Sequence, residues 1–579
     1  MTTCTQGSLC PFLSLFLFLS RATTFHVASN MPPSSCFLTR RLRVPHHHQN
    51  TIHSLPPPTT PYPSHYPYPA HPTPTPHFLA PAHPTPTPHS LDPPLPQGQL
   101  QAFLTLLKEG EKELCDAAFA DLHKSSFEAY STEISLCEGE IHTAMAGLKE
   151  WMKPVSTGSS ALNFPCWSST QRDPLGVVLV LGAWNYPIQL CLAPLVGAIA
   201  GGNCVLLKPG SYAVNTSHCI ARLFNKYMDT DCIRVAEGDR KVTSAILDQA
   251  FDKIFFTGSG YVGKIVAAAA AKHLTPCILE LGGKSPTIVD KTANLEHAAR
   301  RICWGTFLNG GQTCVRPDFA MVHADVVGPF LEEMKKAVLD FYGDDSQESE
   351  WYGRCINDKA FERLSAIVDS SRDRIVLGSG RVDAKDKYVE PTVLNYGADM
   401  AAFTASAAMQ DEIFGPILPM VTFTSMETVI SYVKALPTGK PLALYAFSQD
   451  NAVIETIKRR TTSGGLVIND NLMHLANHEL PFGGIGASGM GAYHGERSFS
   501  AFTHEKAVLE KSQMLDQSIV LKPLLQARFP PYNSTKKALV KIFMMPFAST
   551  ILNLHRNKKF LMLVAVLLLY KMGFRVIRN

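Results

Sequence analysis

The stretch "DKIFFTGSGYVGKI", residues 252–265, reads as a strand, a glycine-rich turn and the start of a helix. Gly258, Gly260 and Gly263 spell G-x-G-x-x-G, the fingerprint of a dinucleotide-binding turn. Gly258, Gly263 and Lys264 also come within one residue of a P-loop. A P-loop carries a hydroxyl after its lysine to hold magnesium, and here that position is Ile265. The triphosphate reading therefore fails at its metal ligand. What remains is a loop, Ser259 included, whose backbone N–H groups face an anion beside a helix N-terminus.

On either side, short apolar runs alternate with helical patterns. "GVVLVLGA" (176–183), "CVLL" (204–207), "KIFF" (253–256) and "CILEL" (277–281) read as buried strands. "NTSHCIARLFNKYM", with Asn215 as a candidate N-cap, reads as one of the helices between them. Phe103, Leu106, Leu107, Leu114, Ala118 and Leu122 recur at helical spacing and predict an amphipathic helix from near Leu100. Strands alternating with helices predict an α/β fold with a parallel sheet covered on both faces.

The totals agree with an enzyme. The chain has 579 residues, 45% of them hydrophobic, with a net charge of +4. That is long enough for several domains, and no dense basic stripe points to nucleic acid. The 14 cysteines include no C-x-x-C pair and none at zinc-finger spacing, so neither a disulfide framework nor a metal site is expected.

The two ends differ from the middle. No acidic residue precedes Asp92, and "HPTPTPH" occurs at 71–77 and again at 83–89. Such a tract cannot build a core, and residues 1–97 are expected to be a disordered leader. Its short apolar run "CPFLSLFLFLS" and the arginines 21, 40, 41 and 43 also fit an organelle transit peptide, for a mitochondrion or plastid. At the other end "FLMLVAVLLLY" (560–570) lies between lysines. It reads as a membrane anchor, spanning or lying in the interface, against the alternative of a buried terminal helix.

The residues with chemistry come next. In "NGGQTCVRPD" (309–318) Cys314 stands in a polar, glycine-rich setting that suits a thiolate nucleophile. Asn185 of "GAWNYP" follows the first strand, where ligands approach an α/β sheet. Glu280 falls about twenty residues past the glycine turn, the distance at which a dinucleotide fold carries its ribose-binding acid.

The ordered set "PLGVVLVLGAWNYP", "FFTGS", "LELGGKSP", "GGQTC", "DEIFGPILP" and "LPFGGIGASGMG" resembles the aldehyde dehydrogenase superfamily, in particular its class 3 branch with the membrane-bound fatty aldehyde dehydrogenases. The resemblance runs from about Leu100 to Lys511, and "RFPPYNSTKK" with the apolar tail extends it. It implies a parallel, Rossmann-type cofactor domain (98–281), an α/β catalytic domain (282–470), a return segment with the oligomerisation region (471–515) and a membrane-anchoring tail (516–579).

The resemblance also implies roles. Cys314 would attack the aldehyde carbonyl, with the Asn185 amide and the Cys314 backbone N–H as oxyanion hole. Glu280 would be the general base that hydrolyses the thioester, which displaces its reading as a ribose ligand. Lys208, Gly258, Ser259, Gly263, Glu412 and Phe414 would hold the cofactor, and Tyr186 and Phe482 would line the substrate cleft. The cofactor expected is NAD, with NADP as the alternative, because Ser211 stands where relatives carry a ribose-binding glutamate. A homodimer at the endoplasmic reticulum membrane and a medium- to long-chain aliphatic aldehyde complete the expectation. A CoA-acylating relative and an inactive membrane scaffold of the same fold are the rivals. The family's first amphipathic helix has no counterpart, since the Pro/His tract occupies its place.

Overall fold

The computed structural model describes residues 94–160, 163, 166–511 and 526–544. Nearly all of the leader and the whole 560–570 run lie outside them. Helix α1 spans Pro94–Leu122. It begins six residues before the expected start, because Pro94 and Pro96 fall in a first turn whose N–H groups need no partner. Phe103, Leu106, Leu107, Leu114, Ala118 and Leu122 are all fully buried, as their spacing predicts.

Strands β1 (Val177–Leu181), β2 (Cys204–Lys208), β3 (Ile233–Val235), β4 (Lys253–Thr257) and β5 (Cys277–Glu280) form one parallel sheet in the order β5-β4-β1-β2-β3. The short strand Gly489–Met490 joins its β5 edge antiparallel. All four sequence-predicted strands are present within a residue or two of their expected bounds. Chain order reverses between β1 and β4, so the crevice beyond their carboxyl ends is the switch point where open α/β sheets bind ligands. The glycine turn beginning at Gly258 follows β4, while Asn185 follows β1. The two loops are therefore neighbours across the switch point.

A second sheet holds β6 (Pro286–Val289), β7 (Phe319–His323), β8 (Ile375–Leu377), β9 (Thr392–Asn395), β10 (Ile417–Phe423), β11 (Ala443–Phe447) and β12 (Gly465–Ile468). Its order is β8-β9-β10-β7-β6-β11-β12, parallel except for the β8–β9 pair. Glu280 ends β5 of the first sheet and Pro286 opens β6 of the second. The "ELGGK" turn is thus the bridge between sheets. A third, antiparallel ribbon pairs Val155–Thr157 and Thr503–Lys511 with Cys166–Pro174, and its outer strand is largely exposed.

The helix Val214–Tyr227 corrects one expectation. Asn215 is not its N-cap; the capping position is Ala213 and makes no side-chain bond. Asp121, from the last turn of α1, takes over. Its carboxylate accepts from the Asn215 N–H (3.1 Å) and side-chain amide (2.8 Å), and from the Thr216 N–H and hydroxyl (both 2.8 Å). A carboxylate at a helix N-terminus satisfies free N–H groups and complements the dipole, and local spacing cannot reveal one supplied from a distant segment. Near the end of the described chain, Ser534–Phe543 is a short helix carrying Lys536, Lys537 and Lys541. Among the described residues no helix is long and apolar enough to cross a membrane.

Candidate active site

Cys314 sits just after a turn that the sequence "NGG" makes possible. Asn309, Gly310 and Gly311 have φ of 55°, 58° and 73°, three left-handed residues in a row. Glycine adopts that conformation freely and asparagine tolerates it. A Cβ on Gly311 would lie 2.3 Å from the Gly415 backbone, so this turn also touches the "DEIFGP" loop. The side chains of Asn309 and Asn185 then tie two loops together. Asn309 donates to the Asn185 carbonyl (2.7 Å), and the Asn185 amide donates to the Gln312 carbonyl (2.9 Å). One Asn185 N–H is thereby used; a second remains on the same nitrogen, whose acceptor lies two residues before the thiol.

Asp318 organises the surroundings. It pairs with Lys284 from the "ELGGK" bridge, with Arg316 (3.0 Å), and with the backbone N–H of Ile413 (3.0 Å). Lys284 also donates to the carbonyls of Ala408 (2.8 Å) and Asp411 (2.9 Å). A single buried carboxylate therefore fixes the base-bearing segment, the thiol-bearing segment and the "DEIFGP" loop. The sequence motifs assign Lys284 and Asp318 no role.

Two carboxylates near Cys314, Glu280 and Glu412, are left unsatisfied. Both carboxylate oxygens of Glu280 and Oε1 of Glu412 are buried without a hydrogen-bond partner. Burial holds Glu280 well above the usual carboxylate range; the nearby Gly484 N–H offsets only part of this without reaching hydrogen-bond geometry. Burial, with Asp318 nearby, pushes Glu412 up to about 8. Burial and the two glutamates together push the Cys314 thiol up to about 12. Alone, then, the thiol keeps its proton, and an acceptor must take that proton before it can attack. The Glu412 carboxylate lies over Gly282, whose added Cβ would meet it at 2.0 Å, which accounts for a glycine in the bridge.

The remaining predicted residues fall on the crevice side of the first sheet. Gly258 donates its N–H to the Glu280 carbonyl (3.0 Å), so turn and base are adjacent. Ser259 caps the following helix, accepting from the Val262 N–H. Gly263 lets that helix pack on the bridge, since a Cβ there would meet Leu281 at 2.7 Å. Lys208 ends β2 and donates to the Pro209 carbonyl (2.7 Å) and the Ser211 hydroxyl (3.1 Å). Phe414 is held at φ 49°, unusual for a bulky residue, with its ring edge-on to Trp184 at 5.4 Å. Thr257 Oγ1, at the end of β4, is buried and unpartnered. An orphaned hydroxyl, an orphaned carboxylate oxygen, a lysine and a strained aromatic around a switch-point crevice fit a dinucleotide with its ribose hydroxyls and planar ring.

On its other side Cys314 opens into a cavity of about 500 Å³ whose lining is mostly apolar. Tyr186 and Phe482 line it, and so do Trp304, Phe341, Trp351 and Leu472. The Tyr186 hydroxyl pairs with Thr313 Oγ1 at 2.7 Å, beside the nucleophile. The latter four residues come from distant segments with no shared motif, and only the fold brings them together.

The aldehyde dehydrogenase family model matches residues 91–508. The 4,4'-diaponeurosporen-aldehyde dehydrogenase of Staphylococcus aureus is 43% identical over 77% of this chain and 94% of its own length. A dimeric NADP-preferring aldehyde dehydrogenase of Canis lupus familiaris is 40% identical over 75% of this chain and 92% of its own. A solved structure of Staphylococcus aureus AldH in a substrate-bound state superposes with a TM-score of 0.73, covering 78% of this chain and 94% of that one.

Proposed function

The chain belongs to the aldehyde dehydrogenase family, enzymes that oxidise aldehydes with NAD(P), and from that premise we propose that its substrates are medium- to long-chain aliphatic aldehydes, converted to carboxylic acids at a membrane surface. The observation that carries the proposal is the cavity of about 500 Å³, apolar along most of its wall, that ends on Cys314. Burying a chain there removes apolar surface from water at about 0.8 kcal/mol for each CH₂.

In this reading the Cys314 thiol releases its proton to solvent and, as thiolate, adds to the carbonyl carbon and forms a thiohemiacetal. The free Asn185 N–H and the Cys314 backbone N–H take the oxyanion, where one donor is worth about 2.7–4 kcal/mol. When bound, the dinucleotide supplies the hydride acceptor; Glu412 and Phe414 would hold its nicotinamide end, Lys208 its adenosine ribose, and the orphaned Thr257 hydroxyl lies in the same crevice. Loss of hydride leaves an acyl thioester on Cys314. Glu280, with both oxygens unpartnered, accepts a proton from the water that hydrolyses it. A base in that place favours hydrolysis over transfer to coenzyme A.

Two further parts support the setting. The basic helix Ser534–Phe543, with Phe529 and Tyr532 exposed beside it, suits a lipid surface leading toward the apolar run at 560–570. The exposed outer strand Thr503–Lys511 suits pairing with a second copy, and the canine relative is named as dimeric. The endoplasmic reticulum is the location we propose.

The test is NADH formation by the detergent-solubilised full chain with hexadecanal, repeated with NADP and with a short aldehyde. Turnover of hexadecanal, with a higher kcat/KM than for the short aldehyde and lost in Cys314→Ala, is expected. Folded protein inactive on every aldehyde would overturn the proposal.

A further inference from the structure

The cavity beyond Cys314 contains one acid that the reaction does not use. Glu128 lines it and is 8% exposed, and its Oε1 is buried without a hydrogen-bond partner. The hydroxyls nearby have partners of their own. Ser125 accepts from the Glu128 N–H (3.1 Å), Ser131 and Thr132 donate to the Glu128 carbonyl (3.4 and 2.7 Å), and Thr313 is paired with Tyr186.

Glu133, five residues on in the adjoining π-helical turn, shows what a structural carboxylate looks like. It takes Lys124 (2.6 Å), the Ile188 N–H (2.8 Å) and the Gln189 N–H (3.1 Å). On a regular α-helix residues five apart point roughly 140° away from each other. The wide π-helical turn Tyr130–Ile134 changes that, and both acids end up buried. Lys124, the buried cation of this region, is already matched by Glu133. Glu128 is left with no charge of its own to pair with in a mostly apolar cavity. Burial holds it up to about 7, with Lys124 and the Asn309 backbone lowering it and Glu133 raising it; Tyr186 and Tyr342 stand in its field.

An unpaired acceptor in such a wall penalises a purely hydrocarbon ligand and rewards one that brings a donor. We propose that Glu128 sets substrate specificity by accepting a hydrogen bond from a hydroxyl or ammonium group carried on the chain of the aldehyde. Hydrocarbon then fills the aromatic wall while the chain's donor meets Glu128. This deepens the fatty-aldehyde reading and rests on it.

The experiment compares kcat/KM for a plain alkanal, its ω-hydroxy counterpart and its ω-amino counterpart, over several chain lengths, for wild type, Glu128→Gln and Glu128→Leu. Each protein is judged by its ratio of donor-bearing to plain substrate, which a reduced fraction of folded enzyme cannot move. Wild type is expected to favour a donor-bearing chain of matching length by roughly tenfold to a hundredfold. Glu128→Leu should bring the ratio to one or below. Glu128→Gln should keep a preference for hydroxyl and lose one for ammonium, which separates the two donors. Turnover of all three substrates with the same ratio in wild type and Glu128→Leu would overturn this inference alone. Turnover of none by wild type would overturn the reading beneath it as well.

Discussion

Asp318 and Glu280 are both buried carboxylates, 1% and 3% exposed, and both serve the loop that carries Cys314. One is saturated and the other is bare. Asp318 holds Lys284, Arg316 and the Ile413 N–H, whereas no hydrogen bond reaches either oxygen of Glu280. Burying a carboxylate costs several kcal/mol unless partners replace its water. Where the partners are present the group is scaffold. Where they are missing, the fold bears a cost that a reacting species can relieve. Glu133, saturated, and Glu128, whose Oε1 has no partner, repeat the contrast five residues apart. Satisfaction thus separates residues that build the site from residues that work in it.

The sharpest way to break this comparison is to empty the saturated acid. Asp318→Ala leaves Lys284 and Arg316 facing a buried void. Losing one member of a buried ion pair costs about 3–5 kcal/mol. Chemical denaturation should register a loss of that size, with weaker cofactor binding because three loops come adrift together. A variant as stable as wild type would show that Asp318 does not tie these loops.

The bare acid should behave in the opposite way. Glu280→Gln removes no hydrogen bond and introduces no stranded charge, so stability should hold or rise slightly at neutral pH. The sign follows from the shift. Glu280 has a folded pKa above its unfolded one, so the fold favours its neutral form. That contribution is complete below the ordinary carboxylate range and is lost as pH rises toward the folded value. Activity runs the other way, because only the ionised form accepts a proton from water. Steady-state turnover should climb with pH through a limb well above the ordinary carboxylate range. In Glu280→Gln that limb should vanish and turnover fall by about 10²–10⁴. A pre-steady-state burst of NADH should survive if Glu280 serves hydrolysis alone. Turnover within a few-fold of wild type would remove Glu280 from the mechanism.

Much of this architecture is legible along the chain. The strands at 177, 204, 253 and 277 announce themselves as apolar runs, because a strand buried on both faces has no polar side to show. Cys314, Glu280 and Asn185 are visible through motifs, and the fold gathers all three around one crevice. Asp318 and Lys284 carry no such mark, because their meaning is a contact between segments 34 residues apart. The cavity wall is hidden for the same reason: Trp304, Phe341 and Trp351 stand in separate segments that share no motif. The capping of Val214–Tyr227 is similar, since Asn215 looks sufficient locally while Asp121 supplies the carboxylate from 94 residues away. Local chemistry can be read along the chain, but the partners that decide whether a buried charge is satisfied are set by topology.

The smallest effect belongs to the cofactor end. Ser211 is exposed and hydrogen-bonded on both sides, accepting from Lys208 Nζ (3.1 Å) and donating to the Gly238 carbonyl (3.1 Å). It is therefore a satisfied neutral group at a place where, on our reading, the adenosine ribose lies against Lys208. A serine offers a 2′-phosphate no repulsion, which leaves NADP admissible beside NAD. Ser211→Glu would add a negative charge there. One such charge about 4 Å from a phosphate in water costs on the order of 1 kcal/mol, so the NADP/NAD ratio of kcat/KM should fall about fivefold. Lys208 bears on the size of the change. Burial already lowers its pKa, and a carboxylate beside it would stabilise its charged form and absorb part of the new repulsion. The double variant Ser211→Glu with Lys208→Met should then discriminate more strongly than Ser211→Glu alone. An unchanged ratio in both variants would move the ribose away from this corner of the crevice.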